Sequence, residues 1–180
     1  MKSITVTFVC ATSILLGAFA APPAQTANLN LHLEPLKPLL KTWKGTFKNS
    51  TPEKPVIDIS RWERALNGQG VRVLHSINNG AYGGETLIVW NQAKNQLVYY
   101  YFTTAGFMTT GTMTFDGPRM LTHEFVSGAT PDGISEVRGT SEIRPDGTFL
   151  VKTEYLKKGE WTPGREVVYL EDPAATVQFK

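Results

Sequence analysis

Cysteine is nearly missing from this chain: one residue in 180, at Cys10, inside the first apolar stretch. From residue 21 onward there is no thiol. That excludes a disulfide framework, a thiolate metal site and a cysteine nucleophile from the folded body. Charge of one sign is also missing. The formal net charge is +2 and the basic residues are scattered, so there is no footprint for nucleic acid or an anionic membrane. The only adjacent basic pair, Lys157-Lys158, sits beside a turn and reads as a solvated hairpin tip. No apolar run reaches the roughly 20 residues of a membrane span. No Gly-x-Ser-x-Gly elbow, phosphate loop or dinucleotide fingerprint occurs.

The first 20 residues differ from the rest. Lys2 supplies a positive start, Ile4 to Leu16 an apolar stretch, and Ala18-Phe19-Ala20 small residues flanking a cleavage point before Ala21, with a second possible cut near Thr26-Ala27. This is the pattern of a secretory signal peptide. The chain therefore divides into a signal peptide (1–20), a flexible leader (21–30) containing Pro22-Pro23, and a single domain (31–180). The mature protein is expected in the periplasm or outside the cell. About 160 residues without disulfides are enough to build a self-sufficient core.

What the chain does have is turn chemistry at regular intervals. Asn67-Gly68, Asn78-Asn79-Gly80, Asp116-Gly117-Pro118, Pro131-Asp132-Gly133, Pro145-Asp146-Gly147 and Lys158-Gly159 separate short alternating segments. Spacing of this kind marks an all-β sandwich or barrel. The segments are 43–49, 55–66, 71–77, 82–91, 97–104, 107–115, 120–127, 134–144, 148–157 and 160–170. Short connections make neighbours antiparallel. About ten such strands in sequence form a meander, and closure removes both edges, so the predicted fold is an up-and-down barrel. Gly83-Gly84 marks a bulge or bend. Leu33, Leu36, Leu39 and Leu40 recur at helical spacing, but Pro38 stops a long helix. A short helix or 3₁₀ turn is expected to cap one barrel end. Residues after Glu171 read as a frayed tail.

Parity sorts the faces only in part, because several strands are apolar on both sides. His75 and His123 lie mid-strand among apolar neighbours, where an imidazole is either a hydrogen-bonded structural group or a base or iron ligand. Neither has a second histidine at metal-ligand spacing, and no metal or cofactor is indicated. His32 reads as solvent-exposed. Glu63, Glu124, Glu136, Arg138 and Glu142 read as cross-strand ion pairs on the outer face. The aromatics are numerous, and most serve packing, but inward tyrosines would give an apolar pocket a few polar anchors. The candidate ligand wall is Trp62, His75, Trp90, Tyr99, Tyr101, Phe115, His123 and Tyr155. No residue is singled out as catalytic.

Several residues carry a family resemblance. Leu36 and Leu40 followed by Trp43-Lys44-Gly45 look like the opening motif of calycin-like barrels, in the form found in the bacterial domain-of-unknown-function family 1579. Trp62 with Leu66-Asn67-Gly68 resembles its second-strand tryptophan and hairpin. Trp90-Asn91 with Lys94-Asn95-Gln96-Leu97 is similar to a later hairpin, and Gly106, Gly111, Trp161 and Val168-Tyr169 fit the strands beyond. The resemblance spans about residues 36–170. Thr42 stands where calycins usually carry glycine, and Asn91 where they carry aspartate. The resemblance implies a lipocalin-like barrel with a central cavity whose floor is closed by Trp43. It implies no activity.

Three functions remain open at this level. The first is an exported barrel that holds a small apolar or amphipathic molecule without transforming it. The second is a haem-binding or histidine-based enzyme on the same barrel, and the third a filled barrel acting as an interaction module.

Overall fold

The computed structural model describes residues 28–130 and 132–180. The signal peptide and most of the leader lie outside the described residues. The fold is a closed barrel of ten antiparallel strands: β1 (Thr42–Phe47), β2 (Ile57–Ala65), β3 (Gly70–Ile77), β4 (Tyr82–Asn91), β5 (Gln96–Thr103), β6 (Met108–Asp116), β7 (Arg119–Ser127), β8 (Ile134–Ile143), β9 (Phe149–Lys157) and β10 (Glu160–Glu171). Every strand pairs with its sequence neighbours, and β1 pairs with β10 to close the ring. Each ladder is thus fully used and no long edge is left open. The expected up-and-down barrel is the fold observed.

One end is sealed. A 3₁₀ helix, Leu31–Leu39, buries Leu33, Leu36 and Leu39 across it. Three residues per turn align positions 33, 36 and 39 on one side. Pro35 and Pro38 both lie within the helix, which fits a short piece with few internal hydrogen bonds. Asn30 caps it, its side chain accepting from the His32 amide at 3.0 Å. Beneath it the Trp43 indole is fully buried and donates to the Leu39 carbonyl at 3.0 Å. Val71, Ile88, Leu97, Met113, Met120, Phe149 and Val167 join these side chains in one apolar cluster. Among the described residues no helix is long and apolar enough to cross a membrane.

The opposite end carries the β1–β2, β3–β4, β5–β6, β7–β8 and β9–β10 connections. The β3–β4 turn shows how the sequence makes them tight. Asn78, Asn79 and Gly80 all take positive φ, which asparagine and glycine tolerate best. The Asn78 side chain also accepts from the Ile57 amide at 2.9 Å and donates to the Pro55 carbonyl at 3.1 Å, tying this turn to the start of β2.

Two expectations are corrected. Gly83-Gly84 is not a bulge, since β4 keeps register with both β3 and β5. The glycines are there for close approach: a Cβ on Gly84 would collide with the Tyr101 ring, and one on Gly83 with the His75 carbonyl. The register shifts lie elsewhere, between Ile134 and Glu136 and between Pro163 and Glu166. Nor does the chain fray after Glu171. The Gln178 amide donates to Ser76 Oγ at 3.0 Å, and Phe179 lies over Gly83, so the tail runs up the outer face of β3 and β4.

Candidate functional site

The barrel encloses a cavity of about 420 Å³. Its lower part is apolar, lined by Trp62, Val73, Ile88, Met113, Met120 and Phe149 above the sealed end. Its middle carries polar groups from six strands: Asp58, His75, Tyr101, Thr109, Glu124 and Arg165. Tyr82, Phe107, Thr130, Asp132, Ile134 and Tyr155 line it towards the open end. An apolar pocket with a few convergent polar groups is the general form of a small-molecule site.

One hydrogen-bonded chain crosses the wall. Asp58 Oδ1 lies 3.0 Å from His75 Nδ1, and His75 Nε2 lies 2.7 Å from the Tyr101 hydroxyl. The Tyr101 oxygen is 2.8 Å from that of Tyr82. Tyr169 donates to the other oxygen of Asp58 at 2.7 Å. A carboxylate only accepts, so the proton on His75 sits on Nδ1 and Nε2 accepts from Tyr101. Tyr101 then accepts from Tyr82. Burial pushes the Tyr101 phenol well above its ordinary range, with the neighbouring Tyr82 adding to the effect. Burial raises Tyr82 and Tyr169 as well, so the three phenols of this network all donate at neutral pH.

Arg165 owes its position to a bulge. Gly164 and Arg165 together oppose the single Thr153 of β9, whose hydroxyl accepts from the Arg165 amide at 2.9 Å. Two residues against one re-aim the strand. Trp161 and Pro163 face outward, and Arg165, Val167 and Tyr169 face in. Proline fits here because a bulge interrupts the ladder. Burial works against the guanidinium charge, but Tyr169, Tyr155, Asp58 and Tyr101 around it outweigh that, and Arg165 stays a cation. Among the described residues its Nε has no hydrogen-bond partner.

Glu124 faces the lumen from β7 and accepts from Thr109 Oγ1 at 2.7 Å. Enclosure by the wall pushes its carboxyl above the ordinary carboxylate range, against the Thr109 hydrogen bond and the nearby Arg165 charge. The Tyr99 hydroxyl is buried beside Glu124 and Thr122.

The candidate wall residues separate into three groups. Trp62, His75, Tyr99, Tyr101 and Tyr155 line the cavity. Trp90 and Phe115 lie on the inward-facing register but pack against the sealed end, and Trp90 stacks on the exposed His32 ring at 3.7 Å. His123 is on the outside, 2.7 Å from Glu136 and beside Phe125 and Trp161. Leu121, His123 and Phe125 do share a face, but it is the outer one; Met120, Thr122, Glu124 and Val126 face in. The reading of Glu124 as an outer ion-pair partner is corrected for the same reason. Asp58, Tyr82, Glu124, Arg165 and Tyr169 escaped sequence reasoning. For Arg165 the available signal was Pro163-Gly164 inside a strand. Among the described residues no cluster of three or more histidine, aspartate or glutamate side chains is placed to hold a metal ion.

The fold and the site define a class: a closed ten-stranded up-and-down β-barrel with a mixed polar and apolar lumen. The chain matches no protein-family model, and no curated protein matches it in sequence.

Proposed function

We propose that this chain is an exported, calycin-type barrel that holds one small amphipathic molecule in its lumen and does not transform it. One observation carries the reading: the cavity of about 420 Å³ pairs an apolar floor with a polar belt above it. Burying apolar ligand surface on that floor contributes about 25 cal/mol per Å². The opening motif and the N-terminal apolar stretch support the calycin and export parts.

The histidine-based alternatives have less support. His75 uses both ring nitrogens within the wall, and His123 faces away from the lumen. Neither offers a free imidazole to a guest.

Trp62 lines the cavity, so its emission reports occupancy. Titration with a series of straight-chain alkanols is expected to give a saturable fluorescence change with one site per chain. A linear, non-saturating response across the series would overturn the carrier role. Protein recovered from the periplasm or medium of a bacterial host is expected to lack the N-terminal apolar stretch and to begin at Ala21 or near Ala27. Full-length protein held in the cytoplasm would overturn export.

A further inference from the structure

Among the described residues, Tyr101 is the one phenol that is hydrogen-bonded to an imidazole, with 2.7 Å between its hydroxyl and His75 Nε2. The other phenols of the network meet weaker bases. Tyr169 donates to the Asp58 carboxylate, and Tyr82 to the Tyr101 oxygen. A carboxylate takes a proton near about pH 4 and an imidazole near about pH 6.5, so only His75 offers a phenol a base that works close to neutrality. Behind it, Asp58 Oδ1 lies 3.0 Å from His75 Nδ1, and an imidazolium formed here has its counterion already in place. Donor, base and orienting carboxylate stand in the order that activates a hydroxyl for proton loss. Tying the strands together needs only an acceptor for Tyr101, which an amide or a hydroxyl would supply. A ring base adds the capacity to take the proton, and His75 exercises it on Tyr101 rather than on a guest.

A phenol resists losing an electron alone, because the radical cation left behind is a strong acid. It yields the electron where a base removes the proton in the same step, and a positioned base speeds such a transfer about a hundredfold or more. We propose that Tyr101 is a redox-active tyrosine that gives one electron to an organic peroxyl radical while His75 takes its proton. The O–H bond of Tyr101 breaks and the proton moves to His75 Nε2. The electron reduces the peroxyl radical to a peroxide anion, which takes a proton from water and becomes the hydroperoxide. Tyr101 is left as a neutral phenoxyl radical, with Tyr82 still donating to its oxygen. The positive charge rests on His75 against Asp58. The Arg165 cation shares the lumen and opposes that charge, and the Glu124 carboxylate, once ionised, favours it. The oxidant class follows from the lumen, whose apolar floor admits an organic radical in preference to a hydrated ion. This activity goes beyond the carrier reading and does not depend on which guest the barrel holds.

The experiment exposes the full folded barrel to peroxyl radicals, made by a light pulse on an apolar azo initiator in aerated buffer. Electron paramagnetic resonance of rapidly frozen samples follows the protein radical. Tyr100 is the competitor, 44% exposed on the opposite face of β5. The Tyr101 ring instead lies against Gly84 within the wall, out of reach of a radical on a second chain, so its signal is expected to outlast that of an exposed phenol. A persistent neutral tyrosyl signal is expected in wild type and in Tyr100→Phe, and its loss in Tyr101→Phe. His75→Gln keeps an acceptor without the base and is expected to build up the signal at least about tenfold more slowly. Should His75→Gln fail to fold, wild type in deuterium oxide replaces it, and slower build-up is expected there because a proton moves in the same step. A persistent signal that survives in Tyr101→Phe would overturn the assignment. So would build-up in His75→Gln as fast as in wild type, or equal rates in light and heavy water. Absence of any persistent protein radical would also overturn it, and the alkanol titration would still decide the carrier reading by itself.

Discussion

Asp58 holds His75 by its Nδ1 at 3.0 Å, and both lie inside the wall with almost no exposure. The other carboxylate oxygen is taken by Tyr169. One short side chain thus fastens β2, β3 and β10 together from the inside. Nitrogen-15 NMR is expected to show neutral His75 as the tautomer protonated on Nδ1. The opposite tautomer would break the proposed direction of the Tyr82–Tyr101–His75 chain.

The same relationship predicts a stability effect. Asp58→Ala leaves the His75 ring N–H and the Tyr169 hydroxyl buried without an acceptor. A stranded buried donor costs about 1–3 kcal/mol, so the two together are expected to lower stability by about 3 kcal/mol or more in urea unfolding. A loss below about 1 kcal/mol would mean that water reaches these groups freely.

Much of this architecture was legible before any coordinates. The turn sequences at Asn67-Gly68, Asn78-Asn79-Gly80 and Pro145-Asp146-Gly147 give the strand count, because asparagine, aspartate and glycine hold conformations that other residues resist. Leu33, Leu36 and Leu39 reveal the cap. The site was only half legible. Tyr99, Tyr101, Trp62 and His75 show as large side chains with two-residue alternation, but alternation says which residues share a face and not which face is inside. Along β7 the usual rule inverts: the outer row is Leu121, His123 and Phe125, while the inner row contains Thr122 and Glu124. A polar lumen and an aromatic exterior defeat any assignment by hydrophobicity. Arg165 was hidden by the bulge at Pro163–Glu166, which shifts the register of β10 midway.

The sealed end rests on close packing. Leu36 is fully buried between the 3₁₀ helix and the barrel floor. Leu36→Ala removes that side chain from a rigid cluster that includes Trp43. Substitutions of this type cost about 2–5 kcal/mol, and a fall in the urea midpoint of that size is expected. A near-neutral result would show that the helix can leave the floor without consequence.

Gly111 on β6 lies under the Tyr99 ring. A methyl at this position would collide with that ring and with the His123 carbonyl, which belongs to the backbone and cannot swing aside. Gly111→Ala is therefore expected to destabilise the barrel by about 1–3 kcal/mol and to displace Tyr99 towards the cavity. Unfolding by urea measures the first effect, and reduced alkanol affinity in the Trp62 fluorescence titration the second. Unchanged values for both would place Tyr99 elsewhere than described.

Glu124 links the lumen to pH. Its carboxyl is raised above the ordinary range, first by enclosure in the wall, with the Thr109 hydrogen bond and Arg165 opposing. The sign follows from which state holds the proton more tightly. At low pH both folded and unfolded chains carry it, and Glu124 costs nothing. As pH rises past the ordinary glutamate range near 4.3, the unfolded chain releases the proton while the folded barrel keeps it. Stability then declines until the folded carboxyl also ionises, by about 1.4 kcal/mol for each unit of separation. Glutamine at this position has no proton to lose. Its imperfect replacement of the Thr109 contact is the same at every pH and cancels from the comparison. Thermal unfolding of wild type and Glu124→Gln at pH 4 and pH 7 should therefore show the variant gaining on wild type at the higher pH. An identical difference at both values would mean that Glu124 ionises as freely inside the barrel as in the unfolded chain, so that enclosure imposes no penalty on its charge.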